Sequence, residues 1–153
     1  MSRLSDIVIE TGSATAPLPE VEQEQRMAVF DLLEANRFAL PGGGEGPFRL
    51  TLRRDAGRLS FDLQPDGNGD AESFQITLGG LRQIVKDYAQ ICASYYEAVK
   101  SEPPAQIEAL DEARRSIHRE GARALSEKLE SKAEVDEDTA RRLFTLVCAM
   151  TDG

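Results

Sequence analysis

The side chains with most chemistry to offer fall within one segment, QIEALDEARRSIHREGARAL (Gln106–Leu125). At about 100° per residue its apolar arc holds Ile107, Leu110, Ile117, Gly121 and Leu125. Arg114 and His118 fall inside that arc, and Asp111 lies at its edge. Charged or polar groups facing a core are costly unless they are paired. Asp111 with Arg114, at i,i+3, and Arg114 with His118, at i,i+4, are neighbours on a helix surface. The preceding segment brings further partners. If the two segments form an antiparallel hairpin across Ser101–Pro104, then Asp87, Tyr88 and Ile91 stand level with Arg114–His118. Tyr95 and Tyr96 sit a turn or two further along and could add phenol donors. The seam is therefore expected to gather Asp87, Tyr88, Tyr95, Asp111, Arg114 and His118. Two readings stay open. One is a polar network that fixes helix register. The other is a ligand site, with Arg114 as the anion clamp and His118 as the titrating group.

Other chemistries find less support. A cysteine nucleophile would need its thiolate near His118. Cys92 faces the seam, whereas Cys148 belongs to an apolar segment, and a buried cysteine is ordinarily a small hydrophobe. One histidine and two separated cysteines give no zinc spacing, so no metal is expected. PGGGEGPF (Pro41–Phe48) lacks the Gly-Lys-Ser/Thr ending that opens a helix in a phosphate loop, and a strand follows it. DGNGDAE (Asp66–Glu72) starts like a calcium loop, but has Ala71 where glycine is required and Thr77 where glutamate is required. It reads as a hairpin turn. No cofactor motif is present, and no cofactor is expected.

The elements that must position the seam follow from periodicity. Arg3–Ile9 is a candidate strand, broken by TGSATAPLPE (Thr11–Glu20). Glu20–Asn36 reads as a helix, with Pro19 at its start and Glu20, Glu22 and Glu24 favourable to its dipole. Phe48, Leu50 and Leu52, then Leu59, Phe61 and Leu63, then Phe74, Ile76 and Leu78 alternate with polar residues. Such alternation predicts three antiparallel strands with one wet face, joined by turns at Asp55–Gly57 and Pro65–Asp70. From Leu81 to Val99 the period is helical; Pro103 and Pro104 end that helix and begin another, from about Ala105 to Ser131, with a possible bend at Gly121. A last helix over Glu137–Met150 has Asp136 as N-cap, and its apolar run LFTLVCAM should be buried. The order βαβββααα predicts an α+β fold: an antiparallel meander with an N-terminal strand and helix, packed against three C-terminal helices. The expectation is a single domain over residues 1–153, with a β-rich half (1–80) and a helical half (81–153).

Composition bounds the function classes. The chain has 153 residues, 27 acidic and 18 basic, for a net charge of −9. That balance argues against nucleic-acid backbones and anionic membranes. No apolar run approaches the roughly 20 residues of a membrane helix, and MSRLSDIVIE lacks the apolar core of a signal peptide, so a cytoplasmic protein is expected.

Three segments, IVKDYAQICASYYEAV (Ile84–Val99), QIEALDEARRSIHREGARAL and DTARRLFTLVCAM (Asp138–Met150), together with VFDLLEAN (Val29–Asn36), resemble uncharacterised protein family 0262. This is a group of small alphaproteobacterial proteins, and the likeness covers most of the chain. The resemblance implies a small intracellular bacterial protein of one domain and carries over no site residues. The first expectation is thus a non-enzymatic protein acting on a protein partner or on a second copy of itself, motivated by the apolar last helix. The alternative is a small enzyme or anion sensor using Asp87, Asp111, Arg114 and His118.

Overall fold

The structure, a computed structural model, describes residues 2–10, 18–55 and 57–150. Its elements run β1 (Leu4–Glu10), α1 (Pro19–Glu34), β2 (Phe38–Ala39), β3 (Phe48–Asp55), β4 (Arg58–Pro65), β5 (Glu72–Thr77), α2 (Gly79–Ser101), α3 (Pro104–Leu129), β6 (Glu134–Val135) and α4 (Glu137–Met150). The fold is α+β, as the alternating and helical periods predicted. The expected break at Thr11–Glu20 lies mostly outside the described residues, as does Ala56 in the β3–β4 turn.

The sheet has the strand order β1-β3-β4-β5. The meander is antiparallel, with Leu50 opposite Leu63, Leu52 opposite Phe61, and Phe61 opposite Phe74. Cross-strand partners share a face, so these side chains form one apolar surface, and Phe61 stacks on Phe74 at 4.7 Å. β1 joins β3 in parallel, because α1 carries the chain back to its starting end before β3 begins. An irregularity between Leu4 and Asp6 shifts the register of β1, and both Leu4 and Ile7 are buried although three residues apart.

Two features went unforeseen. β2 and β6 form a separate two-stranded sheet, pairing Phe38 with Val135 and Ala39 with Glu134. Each is only two residues long, too short for any period to register. Gly121 does not bend α3, which is continuous; a Cβ there would overlap the Phe144 ring of α4. Glycine is required by close helix packing.

Three side chains fasten the ends of α1 and α4. The Asn36 amide accepts from the Leu4 backbone N–H at 2.7 Å and donates to the Leu4 and Leu32 carbonyls at 3.0 and 2.7 Å, fastening the end of α1 to β1. Asp136 caps α4 as expected, its Oδ1 accepting from the Thr139 N–H at 3.0 Å. The fully buried Thr139 hydroxyl accepts in turn from the Arg37 N–H at 3.0 Å. Leu143, Phe144, Leu146, Val147 and Met150 of α4 are all buried, in one hydrophobic cluster with the apolar face of the sheet.

Candidate functional site

α2 and α3 form the antiparallel hairpin that the double proline requires, and α3 also packs against α4. The seam residues meet largely as the helical spacing implied. Arg114 Nη2 donates to Asp111 Oδ1 at 2.6 Å, and its Cζ lies 4.8 Å from the centre of the Tyr95 ring. His118 packs edge-on against Tyr88 and Phe144, both at 5.2 Å between ring centres. Its Nε2 shares a hydrogen bond with the Thr145 hydroxyl at 2.7 Å. Asp87 is not brought in: it is exposed and accepts from the Gln83 amide at 2.9 Å. It falls about 100° round the helix from Tyr88, enough to turn it to solvent.

The cluster is open to one side. A groove of about 490 Å³ lies between α1, α3 and α4, with Tyr88 of α2 also in its lining. Five arginines line it: Arg114, Arg115 and Arg119 from α3, and Arg141 and Arg142 from α4. Only two carboxylates, Glu24 and Asp31 of α1, line the same space. Several of the arginines have acidic neighbours: Asp111 takes Arg115 at 2.6 Å, Asp138 takes Arg141 at 3.0 Å, and Glu112 stands 3.8 Å from Arg119. Glu24 adds a looser contact to Arg114 at 3.3 Å. Among the described residues Arg142 has no ion-pair partner, and Arg114 Nε is buried without an acceptor. Arg114 and Asp111 each keep 23% of their side-chain surface exposed, so solvent reaches the cluster.

The protonation states follow from burial and from the charged and hydrogen-bonding neighbours. Burial pushes the His118 imidazole down to about 4, and the charges of Arg141 and Arg114 act in the same direction. The ring is therefore neutral at pH 7. The hydrogen bond from Arg114 holds Asp111 below the usual carboxylate range, burial opposing and Arg115 adding to it. Burial works against the charge of Arg114, but its bond to Asp111 and the neighbouring Tyr88 leave its pKa raised. Burial raises Glu24, with the Tyr96 hydroxyl and Arg114 pulling it partly back. The Tyr96 hydroxyl lies near that carboxylate without completing a well-formed hydrogen bond. Burial also lifts the thiols, Cys92 to about 11, so neither cysteine offers a thiolate at neutral pH.

Sequence reasoning missed Arg115, Arg119, Arg141, Arg142, Glu24 and Thr145. One signal was available: Arg115, Arg119 and Arg123 recur at i, i+4 and i+8, one stripe along a helix. The apposition of the Arg141-Arg142 pair was not readable, since it depends on how α4 packs against α3. Among the described residues no group of three or more histidine, cysteine or acidic side chains could hold a metal ion. None of the described helices is long and apolar enough to cross a membrane. What the groove can hold is an oxyanion, which arginine's planar fork of donors matches.

The geometry so far defines an α+β protein with an arginine-lined groove between three helices. The chain belongs to the uncharacterised protein family UPF0262, whose model matches residues 1–152. It is 56% identical over 155 residues to a UPF0262 protein of Cereibacter sphaeroides strain ATCC 17029, covering 98% of each chain. A UPF0262 protein of Paracoccus denitrificans is 55% identical over 157 residues, covering 99% of this chain and 97% of its own. One from Ruegeria pomeroyi is 51% identical over 158 residues, covering 100% of this chain and 98% of its own. No solved structure matches the chain.

Proposed function

We propose that the groove between α1, α3 and α4 binds a small anion and that the protein works in the cytoplasm by binding, not by catalysis. The observation that carries this reading is a groove lined by five arginines, of which Arg142 has no ion-pair partner among the described residues, in a chain of net charge −9. Accumulating like charge in a partly buried cleft is unfavourable unless a counter-ion completes it. Neutral His118 and the Thr145 hydroxyl add hydrogen-bonding groups beside the cations. The buried, protonated thiols provide no nucleophile. Titration calorimetry with inorganic phosphate at pH 7 and low salt tests the reading. Saturable binding should weaken about tenfold in Arg142→Ala, the loss of one charge-assisted contact worth roughly 1.5 kcal/mol. Equal binding by wild type and R142A, or none by either, would sink it.

A second reading, docking of a protein partner or a second copy, draws on α1 and the residue that precedes it. Leu18, Met27 and Phe30 are 54%, 52% and 60% exposed, a large share for apolar side chains. The apolar run of α4 that first suggested a partner is buried within the chain's own core. A light-scattering mass of one chain at high concentration would remove self-association.

A further inference from the structure

We propose that the arginine groove and a small apolar pocket beside it form one composite site, for an oxyanion bearing an aliphatic chain of about four carbons. The inference rests on the anion reading above and names the kind of anion.

The pocket has a volume of about 100 Å³ and lies between α1, α2 and α4. Val21, Ala89, Cys92, Ala93 and Ala149 give it a mainly apolar lining. Groove and pocket share three lining residues, Glu24, Tyr88 and Thr145, so they adjoin at the seam. A headgroup held by the arginines could therefore direct a tail toward the pocket. The size of that tail follows from volume: a cavity of about 150 Å³ admits benzene, with its six carbons, so this pocket suits about four.

Two orphaned polar atoms mark the same seam. Arg114 Nε, on the groove side, and Tyr96 Oη, on the pocket side, are buried without hydrogen-bond partners. Buried donors are nearly always satisfied, and an oxyanion at the junction would supply an acceptor. Glu24 already stands where such a headgroup would go. Its contact with Arg114, at 3.3 Å, is the looser of that arginine's two ion pairs, the other being 2.6 Å to Asp111. Glu24 thus acts as an internal stand-in that an incoming anion displaces, while Asp111 keeps Arg114 oriented.

NMR titration of the full chain with acetate, butyrate, hexanoate, ethyl phosphate and butyl phosphate tests this. Each buried methylene contributes about fourfold in affinity, so butyrate should bind about fifteenfold more tightly than acetate. Hexanoate should gain no more than about fourfold beyond butyrate, because its five-carbon tail outgrows a pocket for about four. Butyl phosphate should exceed ethyl phosphate, which is two methylenes shorter, by a similar margin if tail burial is independent of the headgroup. Glu24→Gln should tighten all of these ligands several-fold by removing the competing charge. In Ala89→Leu, or in Ala93→Leu should the first variant melt early, the chain-length series should flatten to the acetate level. Equal affinities for acetate and hexanoate, or a chain-length gain that survives both leucine variants, would overturn the composite site yet leave the anion groove standing. Failure of every anion, phosphate included, would overturn the groove itself.

Discussion

The polar face of the sheet and the groove between α1, α3 and α4 both display arginines, and they treat them differently. On the sheet, Arg49 meets Asp6 at 3.5 Å, and Arg53 lies between Asp62 at 3.2 Å and Glu10 at 4.0 Å. Glu10 and Asp6 are the register partners of Arg53 and Arg49, so strand pairing itself supplies the neutralising charge. These side chains are about half exposed, and water screens them. In the groove, four of the five arginines also reach carboxylates, but Arg142 has no described partner, and His118 is held neutral by burial and by its arginine neighbours. Matched charge on an open face maintains a surface. An unpaired arginine in a partly buried cleft is what the proposed anion would complete.

The largest effect that would sharpen this contrast lies beneath the groove. Gly121→Ala places a methyl against the Phe144 ring, which also supports His118. The variant should lose about 3 kcal/mol, the upper end of the overpacking range, despite alanine's better helix propensity. Urea denaturation measures the loss, and Phe144→Leu in the same chain should restore part of it. An unchanged midpoint would mean that α3 and α4 do not meet as closely as described.

A smaller effect concerns pH. Because the folded-state pKa of His118, about 4, is below its ordinary 6.5, the unfolded chain binds more protons between those values. The stability tied to the neutral ring is present above about pH 6.5 and is lost as pH falls toward 4. The full shift corresponds to roughly 3 kcal/mol, and partial exposure reduces the expectation to about 2. Glu24, whose pKa is raised, slopes the other way, so the difference between wild type and His118→Gln isolates the histidine. Stability curves of the two that run parallel from pH 7 to pH 4 would contradict a buried neutral imidazole. Saturating phosphate should raise the pKa of His118 by offsetting Arg141 and Arg114, a shift that histidine NMR signals report.

The smallest effect is the counterpart on the sheet. Arg53→Ala should change stability by no more than about 0.5 kcal/mol, as exposed pairs do, and leave phosphate binding untouched. A phosphate affinity that fell as far as in R142A would erase the distinction between the two regions.

Much of the architecture was legible because its signals are periodic. Alternation in Phe48–Leu52 and Leu59–Leu63 is enough to place the meander, and the double proline at 103–104 is enough to turn α2 back along α3. The helical arc likewise found Asp111, Arg114 and His118 and, through the hairpin level, Tyr88. It erred on Asp87, which one helical step turns to solvent. The groove's other wall was out of reach. Glu24 is 90 residues from Arg114 and Thr145 is 27 from His118, separations over which no local period carries information.

The amino-acid sequence by itself determined the elements, the α+β class, the family and the polar residues that α3 turns inward. All follow from local rules of period, capping and chain breaking, or from likeness along the chain. Only the tertiary structure decided that Arg141 and Arg142 face Arg115 and Arg119, that Glu24 reaches across to Arg114, and that an apolar pocket adjoins them. Those contacts depend on how helices remote in sequence pack. That packing is set by shape, as where Phe144 needs the bare backbone of Gly121, and by pins such as Asn36 and Thr139, whose partners a linear reading cannot pair.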